Sequence, residues 1–312
     1  GFIGMNLCQR LVDLGADVTI LDYFDPPGVA TGQRGLRARL KLAIADMLDE
    51  EKVERLVRDQ EVIFNLAGKS GAAESNKAPL NDLDINCRAH LTLLEACRRV
   101  NPSVTIVFPS SRLVYGKPHY LPVDERHPVA PESIYAAHKL VVENYHKIYG
   151  HLHGIKTTVL RISNPYGPMQ LGDSRVYGIA NRFIQTAVSG GAITLFGDGS
   201  QQRDYLYIDD LVDAFLRAAW SPVARGKTYN IGDSHGVTLL QLAKSAIEGA
   251  GKGEILMAPW PEEYLLIETG DYCTDSRLAE EELGWKPVTD LVTAVNQTVT
   301  YYAGLCTPHG SQ

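Results

Sequence analysis

Short apolar runs alternate along this chain with longer stretches in which apolar residues recur every three or four positions. Residues 17–21 (Asp-Val-Thr-Ile-Leu), 62–66 and 104–108 are compact apolar runs and predict buried strands. Residues 5–14, 51–58 and 85–99 carry the helical spacing and predict amphipathic helices between them. Ile44-Ala45-Asp46-Met47 predicts the end of a further strand. Strand and helix in alternation imply βαβ units and a parallel sheet. Such sheets take ligands at the carboxyl ends of their strands, so the loops after Leu21, Leu66 and Phe108 are where chemistry is expected. Residues 135–149 predict another helix and 157–162 another strand. After about Pro168 the pattern changes. Helices are expected over 179–188, 208–219, 239–250 and 276–283, with an apolar run at 192–196 and a turn at Gly197-Asp198-Gly199. The expectation is an α/β fold with a doubly wound parallel sheet over residues 1–168, which also receives parts of about 205–235. A smaller mixed α/β lobe is expected over 169–312.

Composition narrows the function. The formal net charge of -7 argues against a general nucleic-acid surface, which is normally basic. No apolar run approaches the roughly 18–20 residues that span a bilayer, so no membrane partner is expected. The chain opens directly on Gly-Phe-Ile-Gly and a helical pattern, and no signal peptide is visible. The five cysteines (Cys8, Cys87, Cys97, Cys273, Cys306) are scattered and odd in number. They predict reduced, mostly buried thiols in a cytoplasmic protein rather than a disulfide framework or a metal knuckle. His119, His127, His138, His146, His151 and His153 lack ligand spacing with Cys or carboxylates, and are expected to be surface residues with no metal bound.

The chemistry concentrates in Ser133-Ile134-Tyr135-Ala136-Ala137-His138-Lys139. A Tyr and a Lys four apart on a helix lie on one face. A free phenol ionises near pH 10, and a cation beside it favours the phenolate. Lowering Tyr135 by about three pH units takes about 4 kcal/mol, which Lys139 together with a positively charged cofactor ring is expected to supply. The product is a general base able to take a hydroxyl proton. Ser111 of the pair Ser110-Ser111 follows a predicted strand and precedes Tyr135 by 24 residues, where its hydroxyl can reach the same oxygen. The opening glycines Gly1 and Gly4 lead into a helix and let backbone approach a pyrophosphate at its N-terminus. Asp22, 18 residues after Gly4, ends a strand where a carboxylate suits a ribose diol and repels a 2′-phosphate, favouring NAD over NADP. Asp46 can equally bond an adenine amino group or cap a helix.

These motifs together resemble the extended short-chain dehydrogenase/reductases, in the NAD-dependent nucleotide-sugar epimerase/dehydratase branch, and are most similar to the UDP-glucose 4-epimerase-like group. The match also includes Leu66-Ala67-Gly68, Glu74-Ser75, Asn86, residues 110–116, 161–168, 197–205, 229–232 and 283–287. The resemblance implies a Rossmann-type domain binding NAD through Gly1, Phe2, Ile3, Gly4, Asp22, Asp46, Met47, Leu66, Ala67, Gly68, Tyr135, Lys139 and Ile162. It implies catalysis by Ser111, Tyr135 and Lys139. Substrate, a nucleotide-diphosphate sugar and above all a UDP-sugar, would be held by Ser111, Asn164, Phe196, Arg203 and Asp271. It also implies a homodimer paired through helices at 81–99 and 135–149, where Leu91, Leu94, Val142 and Tyr145 are apolar positions that could equally be core.

Three departures bear on the reaction. The family loop reads Gly-x-x-Gly-x-x-Gly after a first strand, and this sequence opens on the second glycine, so an incomplete sequence is expected. Ser111 is followed by Arg112-Leu113, where sugar dehydratases resemble Asp-Glu and decarboxylases place a Glu at Leu113. Leu has no acid/base chemistry, so epimerisation at C4 through a 4-keto sugar is favoured. The rivals are a 4-ketoreductase consuming NAD(P)H and a non-catalytic dinucleotide-binding module. Glu268 stands where the 4-epimerases carry an Arg, so either the diphosphate contacts are expected to be rearranged or Glu268 is expected to face away. Substrate choice is expected to rest on 176–183 and 258–270.

Overall fold

The computed structural model describes residues 1–24, 39–170, 178–261 and 270–306. Helix α1 (Phe2–Asp13) is followed by strands β1 (Val18–Asp22) and β2 (Leu40–Ile44), helix α2 (Glu50–Val57) and strand β3 (Val62–Phe64). Helices α3 (Ala72–Lys77), α4 (Pro79–Leu83) and α5 (Ala89–Val100) come next, the last two joined through a π-helical turn at Asp84–Arg88. Strand β4 (Thr105–Ser111), helix α6 (Ile134–His153), strands β5 (Lys156–Ile162) and β6 (Asn164–Tyr166) complete the first half. The second half runs α7 (Ile179–Val188), β7 (Ala192–Phe196), β8 (Gln202–Tyr207), α8 (Ile208–Trp220), β9 (Thr228–Ile231), β10 (Gly236–Thr238), α9 (Leu239–Ala250), β11 (Glu254–Ala258), α10 (Arg277–Leu283) and α11 (Leu291–Cys306).

The fold is the expected α/β class. β3, β4, β5 and β9 form a parallel sheet in that order, with Phe64 opposite Val107, Ser111 opposite Ile162 and Ile162 opposite Ile231. Its strands all point one way, so the chain leaving β3, β4, β5 and β9 emerges along one edge. β1 and β2 form a separate parallel pair in which Asp22 faces Ile44. A mixed sheet of β10, β8 and β6 and a parallel pair of β11 and β7 make up the rest.

One core cluster runs from Met5 and Leu11 of α1 through Leu160, Leu206 and α8 to Val299 and Tyr302 of α11. Helix α8 buries Leu211, Phe215 and Ala218 fully within it. Truncating Phe215 to Ala in such a site costs about 3–5 kcal/mol. A second cluster joins Val53 and Val57 of α2 to Leu93, Leu94 and Cys97 of α5. Leu94 and Val142 are wholly buried inside the chain, so these two expected dimer contacts are core residues. Leu91 and Tyr145 pack partly against the same clusters.

The histidine expectation is corrected. His127 and His146 are buried, and His138 is largely covered and bonded to Asp82. His146 stacks on Phe108 with centroids 5.0 Å apart, and burial draws its pKa down to about 3. A neutral imidazole is flat and largely apolar, which is how it fits a core face that spacing alone reads as polar surface. The thiols are unpaired, with Cys87 and Cys97 buried and Cys306 exposed.

Candidate active site

Strand β4 ends on Ser111, whose hydroxyl accepts the Leu113 amide at 3.2 Å and so starts a tight turn at Arg112–Tyr115. Helix α6 starts where extended Ser133 accepts the Ala136 amide at 3.2 Å, a cap worth about 1 kcal/mol. Helix α3 supplies two more partners for that first turn. Asn76 Oδ1 accepts the Ile134 amide at 3.0 Å, and Ser75 Oγ accepts the Tyr135 amide at 2.9 Å. Three of the first-turn amides are thus satisfied by side chains, which fixes Tyr135 relative to α3. One turn on, Lys139 Nζ donates to the Pro109 carbonyl of β4 at 3.0 Å. It lies 4.7 Å over the Phe108 ring and 5.8 Å from the centroid of the Tyr135 ring. The Ser111 hydroxyl lies close enough to the phenol to favour its ionised form. Ser111, Tyr135 and Lys139 are therefore one cluster at the carboxyl end of β4.

A buried network holds this cluster from behind. Glu143, one turn after Lys139, accepts the Ser110 hydroxyl and takes the Arg161 guanidinium on both oxygens, at 2.6 Å from Arg161 Nη2. Arg161 Nη1 also donates to the Tyr115 hydroxyl, which in turn donates to Asn230 Oδ1. Helix α6 is thereby tied to β4, β5 and β9.

The electrostatics correct one expectation. Burial pushes the Tyr135 phenol up to about 12, and the Asp82 carboxylate pushes the same way against the opposing Ser111 contact. Lys139 alone does not offset this: its ammonium bonds to the Pro109 carbonyl and is itself drawn down to about 8 by burial, which leaves the cofactor-ring part of the expected lowering to the bound state. Ionising the phenol at pH 7 in this setting costs about 7 kcal/mol.

Gly68 links the cluster to the neighbouring loop. Its φ of 148° is open to glycine, and a Cβ there would come within 2.8 Å of Asn86 Oδ1 and 3.7 Å of Lys139 Nζ. Asn86 grips the next residue from both sides, accepting the Lys69 amide at 3.1 Å and donating to its carbonyl at 2.9 Å. Asp82 holds Asn86 at 2.9 Å and His138 Nδ1 at 2.6 Å. Backbone of the Leu66-Ala67-Gly68 loop thus passes directly beside Lys139. Helix α1 meets the same loop, since a Cβ on Gly4 would lie 3.5 Å from Leu66 Cδ1. Among the described residues no side chain caps α1 at Gly1, so its first-turn amides, Phe2 and Ile3 included, suit an anion. Asp22 closes β1 and accepts the Tyr23 amide at 2.8 Å. Asp46 accepts the Leu48 amide at 2.9 Å, while Asp49 is the residue that caps α2. Met47 packs partly into the second core cluster, and Ile162 is buried at the end of β5. An uncapped helix terminus, a glycine where a side chain would collide and an acid at a strand end fit a dinucleotide.

The model of the NAD dependent epimerase/dehydratase family matches residues 1–232. The chain belongs to that family. UDP-glucose 4-epimerase of Mycolicibacterium smegmatis is 31% identical over 307 residues, covering 97% of this chain and 96% of the relative. Among solved structures, UDP-glucose 4-epimerase of Thermotoga maritima with UDP-glucose superposes with a TM-score of 0.88 at 29% identity, covering 98% of this chain and 97% of that one. UDP-glucuronic acid 4-epimerase of Bacillus cereus, in complex with UDP-glucuronic acid and NAD, gives 0.85 at 26% identity with coverages of 98% and 97%. NAD is the family's cofactor, and the residues just described fit it.

The expected substrate residues divide. Asn164 opens β6 and is joined to the residue after Ser111 by an Arg112 Nε to Oδ1 bond at 3.3 Å. Arg203 on β8 donates to the Gly270 carbonyl at 2.8 Å, and Asp271 accepts the Gln202 amide at 2.9 Å, so both brace the start of β8. Phe196 ends β7 and packs on Trp260 with centroids 5.6 Å apart. Glu268 lies outside the described residues, as do 176–177 and 262–269 of the segments expected to choose substrate. Sequence reading missed the roles of Ser75, Asp82 and Glu143. Glu143 carried a usable signal, standing four residues after Lys139 on the same helix face.

Proposed function

We propose that this protein interconverts the C4 epimers of a nucleotide-diphosphate sugar, a UDP-sugar, with NAD. The observation that carries the reading is the Ser111–Tyr135–Lys139 cluster at the carboxyl end of β4, beside the Gly68 loop and with Leu113 where an eliminating acid would have to stand. Tyr135 takes the proton of the sugar C4 hydroxyl. The Ser111 hydroxyl donates to that oxygen as charge develops on it. Lys139 supplies positive charge 5.8 Å from the centroid of the Tyr135 ring, held in place by the Pro109 carbonyl. NAD, when bound, supplies the hydride acceptor and donor, and its oxidised ring adds the positive charge that the buried phenol lacks. The 4-keto sugar then turns and is reduced on its other face, with Tyr135 returning the proton.

Residues 1–168, with 205–235, serve in this reading as the NAD-binding part and 169–312 as the nucleotide-sugar part. The site residues take the roles that the family resemblance implies, with Asn164 and Arg203 towards the diphosphate. The protein acts as a cytoplasmic homodimer. The unpaired thiols suit a reducing compartment. Val141, Ile148 and Leu152 leave an exposed apolar stripe on α6 that suits pairing. Purified protein supplied with NAD and UDP-glucose should form UDP-galactose, read by proton NMR. No turnover on a panel of UDP-, GDP-, CDP- and dTDP-sugars rejects the reading, and stoichiometric NADH consumption on a 4-keto sugar replaces it with a reductase.

A further inference from the structure

Arg112 follows Ser111 directly and is only 9% exposed. A guanidinium taken out of water needs partners for its five N–H groups and, above all, an anion. This one has few. Its Nε donates to Asn164 Oδ1, and its plane lies 4.7 Å from the centroid of Tyr272. Nη1 is buried with no hydrogen-bond partner among the described residues. The Asp204 charge acts on it, but that carboxylate already accepts the Asp233, Ser234 and Thr274 amides. Arg203 places a second positive charge in range of the first. The Tyr205 hydroxyl, from the residue opposite Asn164 in the β6–β8 register, feels both arginines and is also buried without a partner. Arg112, the residue after Ser111, thus brings an unpartnered buried donor beside Asn164, with the unpartnered Tyr205 hydroxyl and the Arg203 charge in range.

We infer that Arg112 binds an oxyanion of the nucleotide sugar, as a substrate-recognition residue added to the Ser111–Tyr135–Lys139 cluster. The inference rests on the proposed function for the ligand class. A guanidinium whose Nη1 lacks a partner suits either a phosphate oxygen of the diphosphate or a carboxylate on the sugar.

Calorimetric titration of the NAD-loaded protein and its R112M variant with UDP, UDP-glucose and UDP-glucuronate tests this. Charge-assisted bonds of this kind are worth a roughly 10- to 100-fold change in affinity. Equal weakening for all three ligands assigns Arg112 to the diphosphate. Weakening for UDP-glucuronate alone assigns it to a sugar carboxylate. Affinities unchanged within about twofold for all three, or a wild-type protein that binds none of them, overturn the inference. The melting temperature separates a structural role, because removing an unpaired buried charge leaves it unchanged or raises it, whereas removing a structural arginine lowers it. If R112M does not fold, R112K decides: it keeps the charge but loses the fork, so a partial loss supports the inference and wild-type affinity overturns it. Nucleotide binding without epimerisation would remove the proposed activity and leave Arg112 its role; epimerisation with unchanged R112M affinities would do the reverse.

Discussion

Replacing Lys139 with Met should make the protein more stable at neutral pH while abolishing its activity. Lys139 is buried, and its ammonium ionises at about 8 in the fold against 10.5 for a free lysine. The difference corresponds to about 3 kcal/mol spent on keeping the charge inside. Losing the bond to the Pro109 carbonyl takes back about 1 kcal/mol, which leaves K139M ahead by about 2 kcal/mol at pH 6.5. The sign follows from proton counts. Between pH 8 and 10.5 the unfolded chain holds a proton that the folded one has released, so wild-type stability rises with pH across that window. The penalty is fully present below pH 8 and gone above 10.5. Urea unfolding of both proteins at pH 6.5 and at pH 10 reads it directly, through midpoints at constant m-value. A K139M protein less stable than wild type at pH 6.5, or a difference that does not change with pH, would refute a desolvated ammonium as the source. In the proposed mechanism, its charge is what the chemistry uses.

Gly68→Ala should weaken NAD binding and destabilise the loop, since its Cβ would press to 2.8 Å on an Asn86 already bonded to Lys69 and Asp82; isothermal titration with NAD checks it, and wild-type affinity counts against the loop's placement. Arg161→Met should cost about 3–5 kcal/mol by stranding the buried Glu143 carboxylate, measured by chemical denaturation. The loss should be smaller in the double variant R161M/E143L, where no charge is left unpaired.

Much of this site was legible in the sequence because its residues are set by local rules. A Tyr and a Lys one turn apart must share a helix face, and a Ser closing an apolar run must sit at a strand's carboxyl end. Glycine and acid positions mark the dinucleotide side for similar reasons. What the residues could not reveal depends on surroundings. In the protein alone the phenol rises because burial outweighs its neighbours, and burial is a property of the packed fold. His146 looked like surface until Phe108 covered it. Arg112 read only as a departure from a motif, and its unpartnered nitrogen becomes visible once Asn164, Tyr205 and Tyr272 are placed around it. Helix α11 escaped notice because Leu291–Cys306 is rich in β-branched Val and Thr and carries a Gly, all weak helix formers. Tertiary burial of Ala294, Val295, Thr298, Val299 and Tyr302 overrides that propensity.

The fate of hydrogen at the sugar C4 tests the central claim most directly. UDP-glucose deuterated at C4, incubated with wild type and with Y135F, should yield from wild type a 4-epimer that keeps its deuterium without external NADH. Y135F should be roughly 10²- to 10⁴-fold slower, the usual contribution of a positioned acid or base. Deuterium lost to solvent, or a Y135F protein that turns over at the wild-type rate, would contradict the account.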